Sequence, residues 1–222
     1  MSLARRATAE AVGTAFLVMA VVGSGIAARR LSPGDVGLQL LENSLVTGAA
    51  LVALILALQP VSASFNPVVT TVERLLHLVT TREAGVLVAA QVMGGALGCV
   101  LANLMFDLDA VSVSGHHRTS PGTLLAEVVA TAGLVVIVFG SLRAGRLETI
   151  AFAVGGYITA AYWFTSSTSF ANPAVTLARM LSDTFAGIAP ASVPGFVAMQ
   201  VVGGAAGLGL VTLLHPHRGA TT

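Results

Sequence analysis

Apolar residues run in long blocks along this chain, and the short polar stretches between the blocks hold most of its charge. A helix needs about 20 such residues to cross the hydrocarbon core of a bilayer. Six blocks predict spanning helices: residues 6–27, 36–58, 83–106, 121–142, 149–165 and 193–214, the fifth being short by that measure. The first is expected to remain as a span rather than be removed as a signal peptide, because further spans follow it. Two more apolar stretches, 68–79 and 174–185, are too short to span. Each follows an Asn-Pro pair, Asn66-Pro67 and Asn172-Pro173. Pro suits the first turn of a helix, where its missing N–H would be unpaired in any case. Each stretch therefore predicts a short helix starting at membrane depth. Irregular backbone at that depth is tolerated only inside protein or along a watery cavity, so two such elements in one small bundle point to a pore.

Composition narrows the class. Of 222 residues, 55% are hydrophobic and 9% charged, against roughly 25% charged in a soluble domain. Mean hydropathy is +0.87. A net charge of +1 offers no basic face to nucleic acid, and the lone Cys99 excludes a disulfide scaffold. All eleven basic residues are arginines. With six spans both termini share a side, which carries Arg5, Arg6, Arg74, Arg82, Arg143, Arg146 and Arg218, against Arg29, Arg30, Arg118 and Arg179 on the other. That split places the termini in the cytoplasm.

The halves of the chain resemble each other. Ala9-Glu10, Thr14-Ala15 and Gly23-Ser24 recur 117 residues later as Ala126-Glu127, Thr131-Ala132 and Gly140-Ser141. Asn66-Pro67 recurs at an offset of 106, and Gln91, Gly94, Gly95 and Gly98 recur at 109 as Gln200, Gly203, Gly204 and Gly207. Three spans per half is an odd number, so repeats 6–106 and 121–214 enter the membrane from opposite sides, an inverted repeat. The glycines at four-residue spacing read as close-packing faces. The two Asn-Pro helices should meet near the midplane, where their N-terminal partial charges disfavour protons and cations and the Asn66 and Asn172 amides can donate hydrogen bonds to a solute.

On these residues the chain resembles the aquaporin and aquaglyceroporin family over essentially its whole length. That family has six spans and two half-helices beginning Asn-Pro-Ala. Here the motifs are Asn66-Pro67-Val68 and Asn172-Pro173-Ala174, with Val68 departing from Ala. The resemblance implies that Glu10 and Glu127 hold the re-entrant loops by accepting backbone N–H bonds, which suits intramembrane carboxylates in need of partners.

The resemblance also implies a selectivity filter. Three residues after the second Asn the family usually has Arg, and this chain has Val175. Carried over by counting, the other filter positions are Val46, Ser169 and either Ala160 or, with a loop gap, Tyr162. Such a filter is wide, has no formal charge and leaves proton exclusion to the half-helix dipoles. Arg179, one turn beyond Val175, reads as an outer-face or helix-end charge and not as the filter arginine. Residues 157–164, 169–175, 183–188 and 193–196 are similar to channels of bacterial arsenic-resistance operons, which also carry Val at the filter position. That likeness implies passage of arsenite and methylated arsenicals. Arsenite is a neutral trihydroxide at neutral pH, which a wide uncharged filter suits; nothing in this filter would bind a methylarsenate anion.

Other polar residues have plainer readings. Glu42 in the second span braces a loop, and Cys99 is a small buried hydrophobe. His77 caps the first half-helix, while His116, His117, His215, His217, Asp107 and Asp109 form no convincing metal site. The expected protein is an all-α integral membrane channel of a bacterial inner membrane, a single domain of the aquaporin fold. It is expected to be a homotetramer in the lipid bilayer, passing arsenite, glycerol and water, with no cofactor, no metal, no enzymatic activity and no nucleic-acid partner. Two alternatives remain: a general water and glycerol channel, and a proton-coupled secondary transporter using Glu10 and Glu127.

Overall fold

The computed structural model describes residues 1–215; His217 and Arg218 lie outside them. Eight α-helices follow one another: α1 Leu3–Leu31, α2 Val36–Leu58, α3 Pro67–Leu75, α4 Thr81–Met105, α5 Pro121–Arg143, α6 Ile150–Phe164, α7 Pro173–Ala178 and α8 Val193–Leu214. Local chemistry sets their starts. Thr80 and Glu83 form a reciprocal capping box on α4, and Ser120 does the same with Thr123 on α5. The Asp35 carboxylate accepts from Leu38 N at the head of α2. Five of the long helices satisfy the length and hydropathy of a span, with α8 counted from its preceding short turn. The fifth span, α6, has 15 residues and extends backward through a 3-10 turn at Leu147–Thr149. The half-helices are shorter than their apolar stretches: α3 stops before His77, which sits at φ +60°, and α7 passes at once into a 3-10 turn at Arg179–Leu181.

Small residues set the packing. A Cβ on Gly94 would lie 2.1 Å from Ala11 O, and one on Gly98 2.2 Å from Ala15 O. The second half repeats this, with Gly203 against Val128 O at 2.5 Å and Gly207 against Ala132 O at 2.7 Å. Backbone therefore touches backbone where α1 crosses α4 and where α5 crosses α8. The progressive register also shows that each pair runs in the same direction. Arg6 pairs with Glu83 at 3.1 Å at one end of the first pair. Arg143 donates to the carbonyls of Val211 and His215 where α5 and α8 finish together. Glu42 accepts from Ser32 Oγ at 2.7 Å and so braces the α1–α2 connection. Cys99 is fully buried. The outward faces of the bundle are apolar, with Phe16, Leu97, Phe152 and Leu213 exposed, the surface a bilayer requires.

Candidate functional site

The two loops entering the half-helices carry backbone that unassisted side chains avoid. Phe65 and Ala171, each the residue before an Asn-Pro pair, have φ of +48° and +45°. Each such residue costs about 1–3 kcal/mol and persists only where its surroundings fix it. Two buried carboxylates do so. Glu10 accepts from Ser62 Oγ (2.5 Å), Ser64 N (2.9 Å), Phe65 N (2.7 Å) and Gln91 Nε2 (2.7 Å). Glu127 accepts from Phe170 N (3.0 Å), Ala171 N (2.9 Å) and Gln200 Nε2 (2.6 Å). The two glutamines in turn donate to Thr70 Oγ1 and Thr176 Oγ1, four residues after each Asn. Gly13 leaves room for the Phe65 ring, which a Cβ would meet at 2.0 Å. Neither carboxylate reaches the cavity described below. Their hydrogen bonds hold the loops.

The half-helix starts are bolted to one another. Asn66 Oδ1 accepts from Val68 N, and Asn172 Oδ1 from Ala174 N and Val175 N. Each amide nitrogen donates across the junction, Asn66 Nδ2 to Ala171 O at 2.8 Å and Asn172 Nδ2 to Phe65 O at 2.7 Å. A primary amide has two N–H groups, so each Asn keeps one for the cavity that both line. Val68, in the place of Ala, is buried and faces α8, where a Cβ on Gly204 would come within 2.4 Å of it. On the other side, Gly95 takes Ala174 and Ala178 with looser contacts of 3.3 Å.

A cavity of ≈ 290 Å³ runs past this junction. At the side of the chain termini it begins between Arg6, Gln59 and Leu147, and it ends beside Tyr162, Ser169 and Arg179. One wall is apolar, built from side chains such as Leu17, Leu51, Leu134 and Ile158. The other is the polar strip of the two loops with Asn66 and Asn172.

The positions expected to form the filter fall unevenly. Tyr162, Ser169 and Val175 are on the cavity wall and buried. Ala160 faces outward, so of the two α6 candidates it is Tyr162 that meets the cavity. Val46 is 43% exposed and off the wall; Thr47 stands there instead, its Oγ1 3.2 Å from the Tyr162 hydroxyl. The reason is helical rotation, since an error of one residue turns a side chain by about 100°. Arg179 does stand at a helix end, as the C-cap of α7, but not on an outer face: it is 2% exposed and on the cavity wall. Its Nε donates to Ala186 O, and its guanidinium lies 3.5 Å from the centre of the Phe170 ring. Glu73 was legible as an acid on α3 but carried no expectation; it lines the opposite end, accepting from Ser64 Oγ at 2.8 Å. In the loop before α5, burial first and then the Arg118 and Arg179 charges hold the His116 imidazole below its ordinary pKa. Burial lowers the Arg118 guanidinium to about 10, which leaves it cationic at neutral pH.

Crossed half-helices, carboxylate-braced loops and one polar-striped cavity define a membrane channel built on an inverted repeat. Comparison with known proteins agrees. A family profile described as major intrinsic protein matches residues 1–148. The chain is 49% identical over 218 residues to the aquaglyceroporin AqpS of Rhizobium meliloti, covering 97% of this chain and 93% of that one. It is 31% identical to the aquaporin AqpM of Methanothermobacter marburgensis, over 84% of this chain and 87% of the relative. The crystal structure of the aquaglyceroporin from Plasmodium falciparum superposes with a TM-score of 0.75, covering 97% of both chains at 20% identity, a likeness of fold. The chain belongs to the major intrinsic protein family, and it is a passive channel rather than an enzyme.

Proposed function

We propose that this channel passes small uncharged polyhydroxy solutes, arsenite among them, with glycerol and water as further permeants. The observation that carries the reading is the lining of the cavity at the end beside Tyr162. Val175 stands on its wall where an arginine was expected, and the hydroxyls beside it are those of Thr47 and Tyr162, with Arg179 one turn on. Hydroxyls both donate and accept, so they can exchange hydrogen bonds with the oxygens of a trihydroxide or triol while Val175 leaves it room. The 49% identity to a protein named an aquaglyceroporin supports the same solute class. In this reading the protein is a homotetramer in a bacterial inner membrane with cytoplasmic termini.

Stopped-flow swelling of proteoliposomes in arsenite, glycerol and sorbitol tests the proposal. Flux of the first two well above empty liposomes, with sorbitol excluded, is the expected result. No flux of any solute would remove the channel reading; water flux alone would remove the polyhydroxy substrates.

A further inference from the structure

Val175 and Arg179 are four residues apart. Four residues of helix turn a side chain through about 400°, so the two share one face roughly 6 Å apart along the axis. Both line the cavity. The Arg179 guanidinium is fixed rather than loose. Its Nε bonds Ala186 O and its plane covers Phe170. Arg118 holds the neighbouring carbonyls of Phe185 (2.9 Å) and Gly187 (2.7 Å), so the segment that anchors Arg179 is itself clamped.

None of these contacts uses the terminal nitrogens of Arg179, whose four N–H groups remain for the cavity. Among the described residues no carboxylate lies within ion-pair distance of it. Glu127 is nearby in the fold, but its oxygens are taken by Phe170 N, Ala171 N and Gln200. An unpaired cation buried in a membrane bundle is costly. The Phe170 face and the Ala186 carbonyl offset part of that cost, but they leave the terminal N–H groups without a hydrogen-bond partner among the described residues.

The internal repeat adds a second observation. The offset of 106 that relates Asn66 to Asn172 also relates Glu73 to Arg179. Both ionisable side chains lie on the cavity wall, one at each end.

We propose that Arg179 is the selectivity-determining cation of this pore, supplying from one turn beyond Val175 the positive charge and donor groups that Val175 lacks. Resting on the channel reading above, the proposal gives Arg179 two effects. Its charge repels cations, and its free N–H groups bond the oxygens of passing solutes and narrow the opening. Arg179→Gln and Arg179→Lys in proteoliposomes separate charge from shape. Sodium leak under an imposed potential should rise at least about tenfold in R179Q, the order expected for a unit charge roughly 5 Å from the path at an effective dielectric near 40. In R179K the leak should stay at the wild-type level. The glycerol-to-water flux ratio should rise severalfold in both. A wild-type leak and wild-type flux ratio in R179Q would overturn the proposal. Wild-type protein that passes sodium as readily as glycerol would overturn it without any variant. Wild-type protein that passes nothing would instead overturn the channel reading.

Discussion

The departure from Ala at Val68 gives a quantitative test of how the half-helices seat. Gly204 on α8 faces Val68, and a Cβ at 204 would lie 2.4 Å from Val68 Cγ1 but 3.8 Å from Val68 Cβ. The clash is thus with one methyl group and not with backbone. Gly204→Ala should overpack this contact at about 1–3 kcal/mol, offset by about 1 kcal/mol from the better helix propensity of Ala. Val68→Ala removes two buried methyl groups, worth about 1.5 kcal/mol or more. In the double variant the new Cβ occupies space the valine vacated, so the losses should not add. A favourable coupling of about 1–3 kcal/mol is expected. Denaturation midpoints in mixed micelles for the wild type, both singles and the double would measure it. Gly95→Ala serves as the control, because its contacts at 3.3 Å are looser and its cost should be smaller. Single-variant losses that sum to the double within about 0.5 kcal/mol would refute the packing account.

Three other outcomes are expected. Glu127→Gln keeps the shape but turns a donor toward a backbone N–H, which should cost about 2–4 kcal/mol by lost charge-assisted bonds and an unsatisfied amide; unchanged thermal stability and solute flux would show that the loop does not depend on the carboxylate. Val175→Arg should cut glycerol and arsenite flux at least about tenfold, the factor carried by about 1.4 kcal/mol, while sparing water, and unaltered arsenite uptake would refute the filter assignment. Thr47→Phe should block flux and Val46→Phe should not, because only Thr47 meets the cavity; equal effects in stopped-flow would count against the rotation found for α2.

Much of this was legible because the signals were duplicated. One Asn-Pro pair could be an ordinary helix cap, but two at matching places required a second loop to meet, and Glu10 and Glu127 at matching places had matching loops to hold. Span starts were legible where a polar residue gave way abruptly to an apolar block, as at Val36 and Val193. What escaped was angular position. Counting along a chain places a residue to within one or two positions, and one position on a helix separates Val46 on the outside from Thr47 on the wall. Arg179 was missed for a different reason. Its four-residue spacing from Val175 already placed it on the same face, but charge in a membrane sequence is readily assigned to an interface. The 106-residue offset linking it to Glu73 was the signal that could have found it.

The crossed amide bonds at the junction bear on the order in which the chain can be completed. Asn66 donates to a carbonyl 105 residues downstream, and Asn172 to one 107 residues upstream. During synthesis the first three helices and their loop emerge well before residue 171 exists, and domains fold N-terminal first as they emerge. The first loop must then wait with its Asn66 amide unclosed, steadied by Glu10, Glu73 and Gln91 of its own half, until the last third of the protein has entered the membrane. Neither half can finish its own pore wall; each leaves a latch that only the other can fasten.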